Sequence, residues 1–178
     1  MSTPFPPQKS SYHTTSLILQ QSTVEMASDT PIPVFYRIVF TIIDPFFCAL
    51  GVATHLFTKN DVLAALSPAA VVPPGSETVL LLDYLVGFFA MLGVLQVSLL
   101  RTRPADMYVW KALQFATLVL DVVQVAATAR ALLVQGRTEP SAWLGGERQN
   151  FAGNAVFGLI RAAFVLGIGL DETKTKTN

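Results

Sequence analysis

Two acids and one base, Asp44, Asp121 and Arg161, stand in stretches of the chain that are otherwise almost free of charge. An ionisable group in such surroundings costs several kcal/mol unless it is paired or hydrated, so each one marks a place where the sequence accepts a penalty for a purpose. Two carboxyls beside a single guanidinium in a dry interior do not both ionise easily; one is held as the carboxylate and the other is pushed toward its neutral form. A neutral carboxyl can donate a proton to an epoxide or an alkene, and a carboxylate can activate water or take up a proton. Which acid takes which role is open, because Arg161 can approach either. A second reading of the same residues is also open: a buried ion pair that fixes helix register, since polar contacts between membrane helices contribute about 0.6–2 kcal/mol each.

The spacing of the polar residues says how they are presented. Arg37, Thr41, Asp44, Cys48, Gly51 and His55 follow steps of three and four, the repeat of one helix face. Gln114, Thr117, Asp121, Gln124 and Thr128 do the same, and so do Asn154, Gly158 and Arg161. Three helices thus each offer a polar stripe, and packing those stripes inward puts Asp44, Asp121 and Arg161 near the interior of a bundle, with Asp83, Arg37 and His55 nearer its mouths. Snorkelling or anchoring at a helix end is the plainer reading for Arg37 and His55, and helix-dipole stabilisation for Asp83.

The elements that must position these stripes are membrane spans. Of the 178 residues, 52% are hydrophobic and only 13% charged, against about a quarter charged in soluble domains. The charge is missing from four blocks: Val34 to Phe57, Thr78 to Leu100, Met107 to Leu133 and Phe151 to Leu170. Each is a continuous apolar run long enough for a helical crossing rather than an alternating strand. The expected fold class is therefore all-α, an integral membrane bundle of four transmembrane helices over residues 31–170, with a disordered N-terminal arm (1–30) and a soluble C-terminal tail (171–178). Pro45 removes a backbone donor and predicts a bend just after Asp44. Met26 is a possible alternative start. A short amphipathic piece, Asp61 to Leu66, and the Pro73-Pro74-Gly75 run predict a loop at the interface, and Arg130 to Asn150 a polar loop. Tyr36, Tyr108, Trp110 and Trp143 are expected at interfacial belts. The Lys and Arg bias favours cytosolic termini, in a membrane expected to be the endoplasmic reticulum.

Other chemistry is missing from the sequence. The single cysteine, Cys48, forms no intrachain disulfide and no cysteine-rich metal site. No phosphate loop, zinc spacing, nucleophile elbow or haem-type histidine pair is present, so no cofactor and no metal are expected. The net charge is zero and no basic patch is interleaved with aromatics, so no nucleic-acid partner is expected.

Ile32-Pro33, Phe35-Tyr36-Arg37, Ile43-Asp44-Pro45, Val109-Trp110-Lys111, Asp121, Asn154, Arg161 and Leu166-Gly167-Ile168-Gly169 together resemble a group of small four-span fungal integral membrane proteins of unassigned function. The resemblance covers about residues 31–170. It implies a place beside secondary-metabolite genes and supplies no catalytic residues of its own. In style the chain is also similar to the membrane-bound cyclases and epoxide-opening enzymes of fungal polyketide and terpenoid pathways, although it is shorter than the seven-span terpene cyclases.

Two functions fit these residues. One is a cofactor-independent epoxide hydrolase or cyclase acting on a lipophilic polyketide or terpenoid intermediate that partitions into membrane lipid, with Asp44, Asp121 and Arg161 as the catalytic set. The other is a non-catalytic membrane scaffold or transport accessory that binds other pathway enzymes or moves a hydrophobic product, with the same residues serving packing alone.

Overall fold

Long continuous apolar runs satisfy their backbone amides without water most simply within their own helix, and the described part of the chain is helical. The computed structural model describes residues 31–170. The expectations for the arm (1–30, with Met26) and the tail (171–178) fall outside the described residues. Within them the structure is all-helical. Helix α1 is Val34–Phe57, α2 is Lys59–Leu66, α3 is Ser76–Thr102, α4 is Met107–Val134 and α5 is Gly145–Val165, with a short 3-10 turn at Pro140–Ala142.

Three of these, α1, α3 and α4, are long and apolar enough to cross a membrane. The expected fourth span is cut differently from the prediction. Helix α5 begins at Gly145, inside the expected loop, because Glu147 turns back to accept the Leu144 N–H at 2.6 Å and so caps the first turn. It ends at Val165, where Gly167 and Gly169 take positive φ angles of 86° and 75°. Its first six residues, Gly-Gly-Glu-Arg-Gln-Asn, dilute its apolar content.

The helices pack as two antiparallel pairs, α1 along α3 and α4 along α5. The polarity of the bundle is inverted relative to a soluble protein. Phe46, Leu81, Val94, Val122 and Leu159 lie exposed on its outside, whereas Asp44, Gln96, Gln114, Thr117, Asp121 and Arg161 are buried. Large apolar surface outside and polar groups inside is the arrangement of a membrane protein.

Pro45 acts on the turn before Asp44 rather than after it. Residues Val39–Ile43 form a π-helical turn, a wider turn that accommodates the proline ring against the preceding carbonyls. The Thr41 carbonyl, which a proline N–H cannot serve, lies 3.4 Å from the Arg101 guanidinium. The wide turn also shifts the phase of the lower half of α1. The inward residues there are Tyr36 and Phe40, not Arg37 and Thr41, which are half-buried.

This phase shift builds the core. Tyr36, Phe40, Trp110 and Phe164 pack together, edge-to-face with centroids 5.0 Å apart for Tyr36–Phe164 and 5.4 Å for Phe40–Phe164. Trp110 donates its indole N–H to the Arg103 carbonyl at 3.0 Å, and Tyr36 its hydroxyl to the Ile168 carbonyl at 2.8 Å. Tyr36 and Trp110 are therefore packed into the core at this end of the bundle. Aromatic rings with a polar tip can be buried when the tip finds a partner, and both do.

Candidate functional site

Beyond this aromatic cluster, on the same helices, lie the three residues singled out from the sequence. Asp44 comes from α1, Asp121 from α4 and Arg161 from α5, and the structure brings all three into contact. Arg161 donates one terminal N–H to an Asp44 carboxylate oxygen at 2.5 Å and its other terminal N–H to Asp121. All three are buried, with 3–5% of their surface exposed. One guanidinium thus joins three helices through two ion pairs, the forked geometry to which arginine is suited.

Each element places its member for a local reason. The π turn ends immediately before Asp44 and delivers it to the same inward face as Phe40 and Cys48. On α4 the expected stripe holds: Gln114, Thr117 and Asp121 are buried and Gln124 and Thr128 half-buried. Thr117 donates its hydroxyl to the Leu113 carbonyl at 2.8 Å, which removes its polarity from the interior. On α5, Gly158 faces Asp121: a Cβ at Gly158 would sit 3.4 Å from that of Asp121. The small residue lets α5 approach α4 closely enough for Arg161, one turn further on, to reach both acids. The guanidinium also lies 5.4 Å from the Phe157 ring centroid, within cation–π range.

Two partners were not singled out from the sequence. Gln96 on α3 is fully buried and donates its amide to Asp44 at 2.6 Å. Being uncharged, it escapes a search for charge in apolar runs; it could have been found as an amide one helical turn from Gly93 in a span with little other polarity. Glu147 is the other. It is buried beside Arg137, which donates to it at 2.9 Å. This pair sits where the loop after α4 meets the start of α5, outside the apolar stretch that begins at Phe151. The Arg137 hydrogen bond holds the Glu147 carboxyl below its ordinary range, against the opposing effect of burial.

Asp83 and His55, expected nearer the mouths of the bundle, lie away from the triad. Asp83 is bound to Lys59 at 2.5 Å and is largely exposed, so it ties α2 to α3 rather than joining the buried acids. The His55 ring lies 2.8 Å from the Gly51 carbonyl through Nδ1 and 5.3 Å from Phe89. Neither touches the triad.

The triad is the floor of a cavity of about 490 Å³. Phe47, Phe89, Leu92, Leu120 and Phe157 supply apolar walls, and Gln124, Gln149, Asn150 and Asn154 supply amides toward the end where α5 begins. Charged groups at the bottom, rings at the sides and amides at the mouth suit a mainly apolar molecule with one reactive polar centre. A second groove of about 460 Å³, between α1 and α3, is almost wholly apolar and includes none of the triad. Among the described residues no group of three or more His, Cys, Asp or Glu side chains could hold a metal ion.

Residues 29–171 match the profile of a family described as a domain of unknown function, DUF7704, and the chain belongs to that family. No curated protein and no solved structure matches the chain.

Proposed function

We propose that the protein is a membrane-embedded enzyme of fungal secondary metabolism that performs acid–base chemistry, epoxide opening or cyclisation, on a lipophilic polyketide or terpenoid intermediate. In this reading α5 is the fourth crossing. Its residues 151–165 and the apolar turn that follows to Leu170 cross the hydrocarbon core, with the polar first turns in the headgroup region. Both termini then lie on the cytosolic side of the endoplasmic reticulum, and the cavity mouth faces the lumen.

The observation that supports the reading is the position of the triad at the base of an open cavity. An ion pair whose whole task is to hold helices together is best packed on all sides; this one presents two carboxyls and a guanidinium to a space large enough for a ligand. Charge balance supplies the chemistry. Two carboxylates and one guanidinium sum to −1, and one bound proton makes the group neutral. That proton passes to the epoxide oxygen as its C–O bond breaks. Water oxygen bonds to the opened carbon, and the proton lost by the water returns to the free carboxylate. In a cyclisation the same proton adds to an alkene carbon, and the carboxylate removes one at the end.

A scaffold or transport-accessory role also has an observation in its favour: Arg161 ties α1, α4 and α5 together, which is what structural glue does. Metabolite profiling of a deletion strain complemented with Asp44→Asn or Asp121→Asn separates the two. The enzyme reading expects one intermediate to accumulate in the deletion strain and in both variants while the proteins accumulate normally. Restoration of the normal profile by both variants, or a general fall in titre with no intermediate, refutes it.

A further inference from the structure

Between the aromatic cluster and the triad lies a layer of the bundle that the proposed chemistry does not use. Leu100 of α3 and Trp110 of α4 belong to the same buried cluster around Phe40. One helical turn from each, toward the triad, stand Gln96 and Gln114. Both side chains are completely buried. Gln96 spends its amide N–H on Asp44, but its carbonyl oxygen has no hydrogen-bond partner among protein groups. Neither the oxygen nor the nitrogen of Gln114 has one, and neither does Nε of Arg161. Four polar atoms from three helices are thus buried and unpartnered in or beside one layer. In an interior without bulk water each such atom is strongly unfavourable.

We propose that this layer is a binding site for ordered water, bridging Gln96, Gln114 and Arg161. The chemistry of the atoms selects the ligand. Two are acceptors, the glutamine carbonyl oxygens, and two are donors, the Gln114 amide nitrogen and Arg161 Nε, so the occupant both donates and accepts. The amides are neutral, and the guanidinium charge is already matched by Asp44 and Asp121, so no positive charge remains to hold an anion, and the two N–H donors do not suit a cation. The aromatic cluster closes one side and the triad the other, which limits the occupant to small molecules. Water with two to four polar partners meets all three conditions. The site completes the hydrogen bonding of Arg161 on the side away from the cavity and continues the polar interior past the triad. It does not depend on the enzyme reading, since a structural triad needs the same waters.

Diffraction from crystals of the full chain grown in a lipid mesophase tests it, together with the melting temperature of Gln114→Leu. The expected result is density within hydrogen-bond distance of Gln96 Oε1, the Gln114 amide and Arg161 Nε. With it goes a melting temperature about 3–6 °C lower in the variant, which strands the atoms the waters joined. Should the variant fail to fold, the density alone decides. A layer empty of density, glutamine amides turned to bond protein groups directly, or a variant that melts higher than the native chain because a dry pocket gains an apolar side chain, overturns the proposal.

Discussion

Replacing Arg161 by methionine removes the centre of the buried triad while keeping a long apolar side chain in its place. Asp44 and Asp121, each 5% exposed, then lose their shared cation together. Removing one partner of a buried ion pair costs about 3–5 kcal/mol. The lost contact with Phe157, at 5.4 Å, adds about 0.5–2 kcal/mol. Proton uptake by the stranded acids offsets part of the sum, so a net loss of about 3–5 kcal/mol is expected. In a chain of this size 1 kcal/mol moves the melting temperature by about 2–4 °C, which gives a fall of about 6–20 °C for Arg161→Met. Melting followed by circular dichroism in lipid nanodiscs measures it. The triple variant Asp44→Asn, Asp121→Asn, Arg161→Met removes the stranded charges as well and should recover at least half of the loss. An Arg161→Met that melts within about 2 °C of the native chain, or a triple variant less stable than the single one, would show that the triad does not hold the bundle together.

Asp44→Ala strands donors on both Gln96 and Arg161, whereas Asp121→Ala strands one on Arg161; the first should be the less stable by about 1–3 kcal/mol in the same melting assay. A Cβ at Gly146 would meet the Ala65 carbonyl at 2.5 Å, so Gly146→Val should lift α2 from α5 and speed proteolysis of residues 58–75, while Gly153→Ala, with nothing within 4 Å, should not. Glu147 has a carboxyl held below its ordinary range by Arg137. Its contribution is therefore full above the unfolded carboxyl value and is lost as pH falls through the folded one. Glu147→Gln should flatten the acid limb of a stability-against-pH curve, and an unchanged limb would contradict that assignment. Tyr36→Phe removes the hydrogen bond to the Ile168 carbonyl and should lower stability by about 0.5–1.5 kcal/mol.

How much of this was legible in the sequence follows from what kind of signal each feature leaves. The contact between Asp44, Asp121 and Arg161 was readable because charge in an apolar run is rare and the stripes on α4 and α5 keep the regular helical repeat. The lower half of α1 was not readable, because a π turn adds a residue to the repeat and moves Tyr36 and Phe40 into the place that regular spacing assigns to Arg37 and Thr41. The same local event packs Tyr36 into the core. Gln96 went unseen because its importance lies in a partner 52 positions away, which no local pattern encodes. The start of α5 depended on Glu147 capping its own helix and binding Arg137 at once; in sequence those residues read only as a polar loop.

The proposed enzyme needs the buried triad to act on a molecule in the cavity above it. The most direct test uses purified protein in nanodiscs, given the lipophilic fraction of a deletion strain, with native chain and Asp121→Asn compared at equal melting temperature. The native chain is expected to consume one compound and form one product without added cofactor, and Asp121→Asn to leave the compound untouched. Equal conversion by both proteins, or conversion by neither, would contradict it.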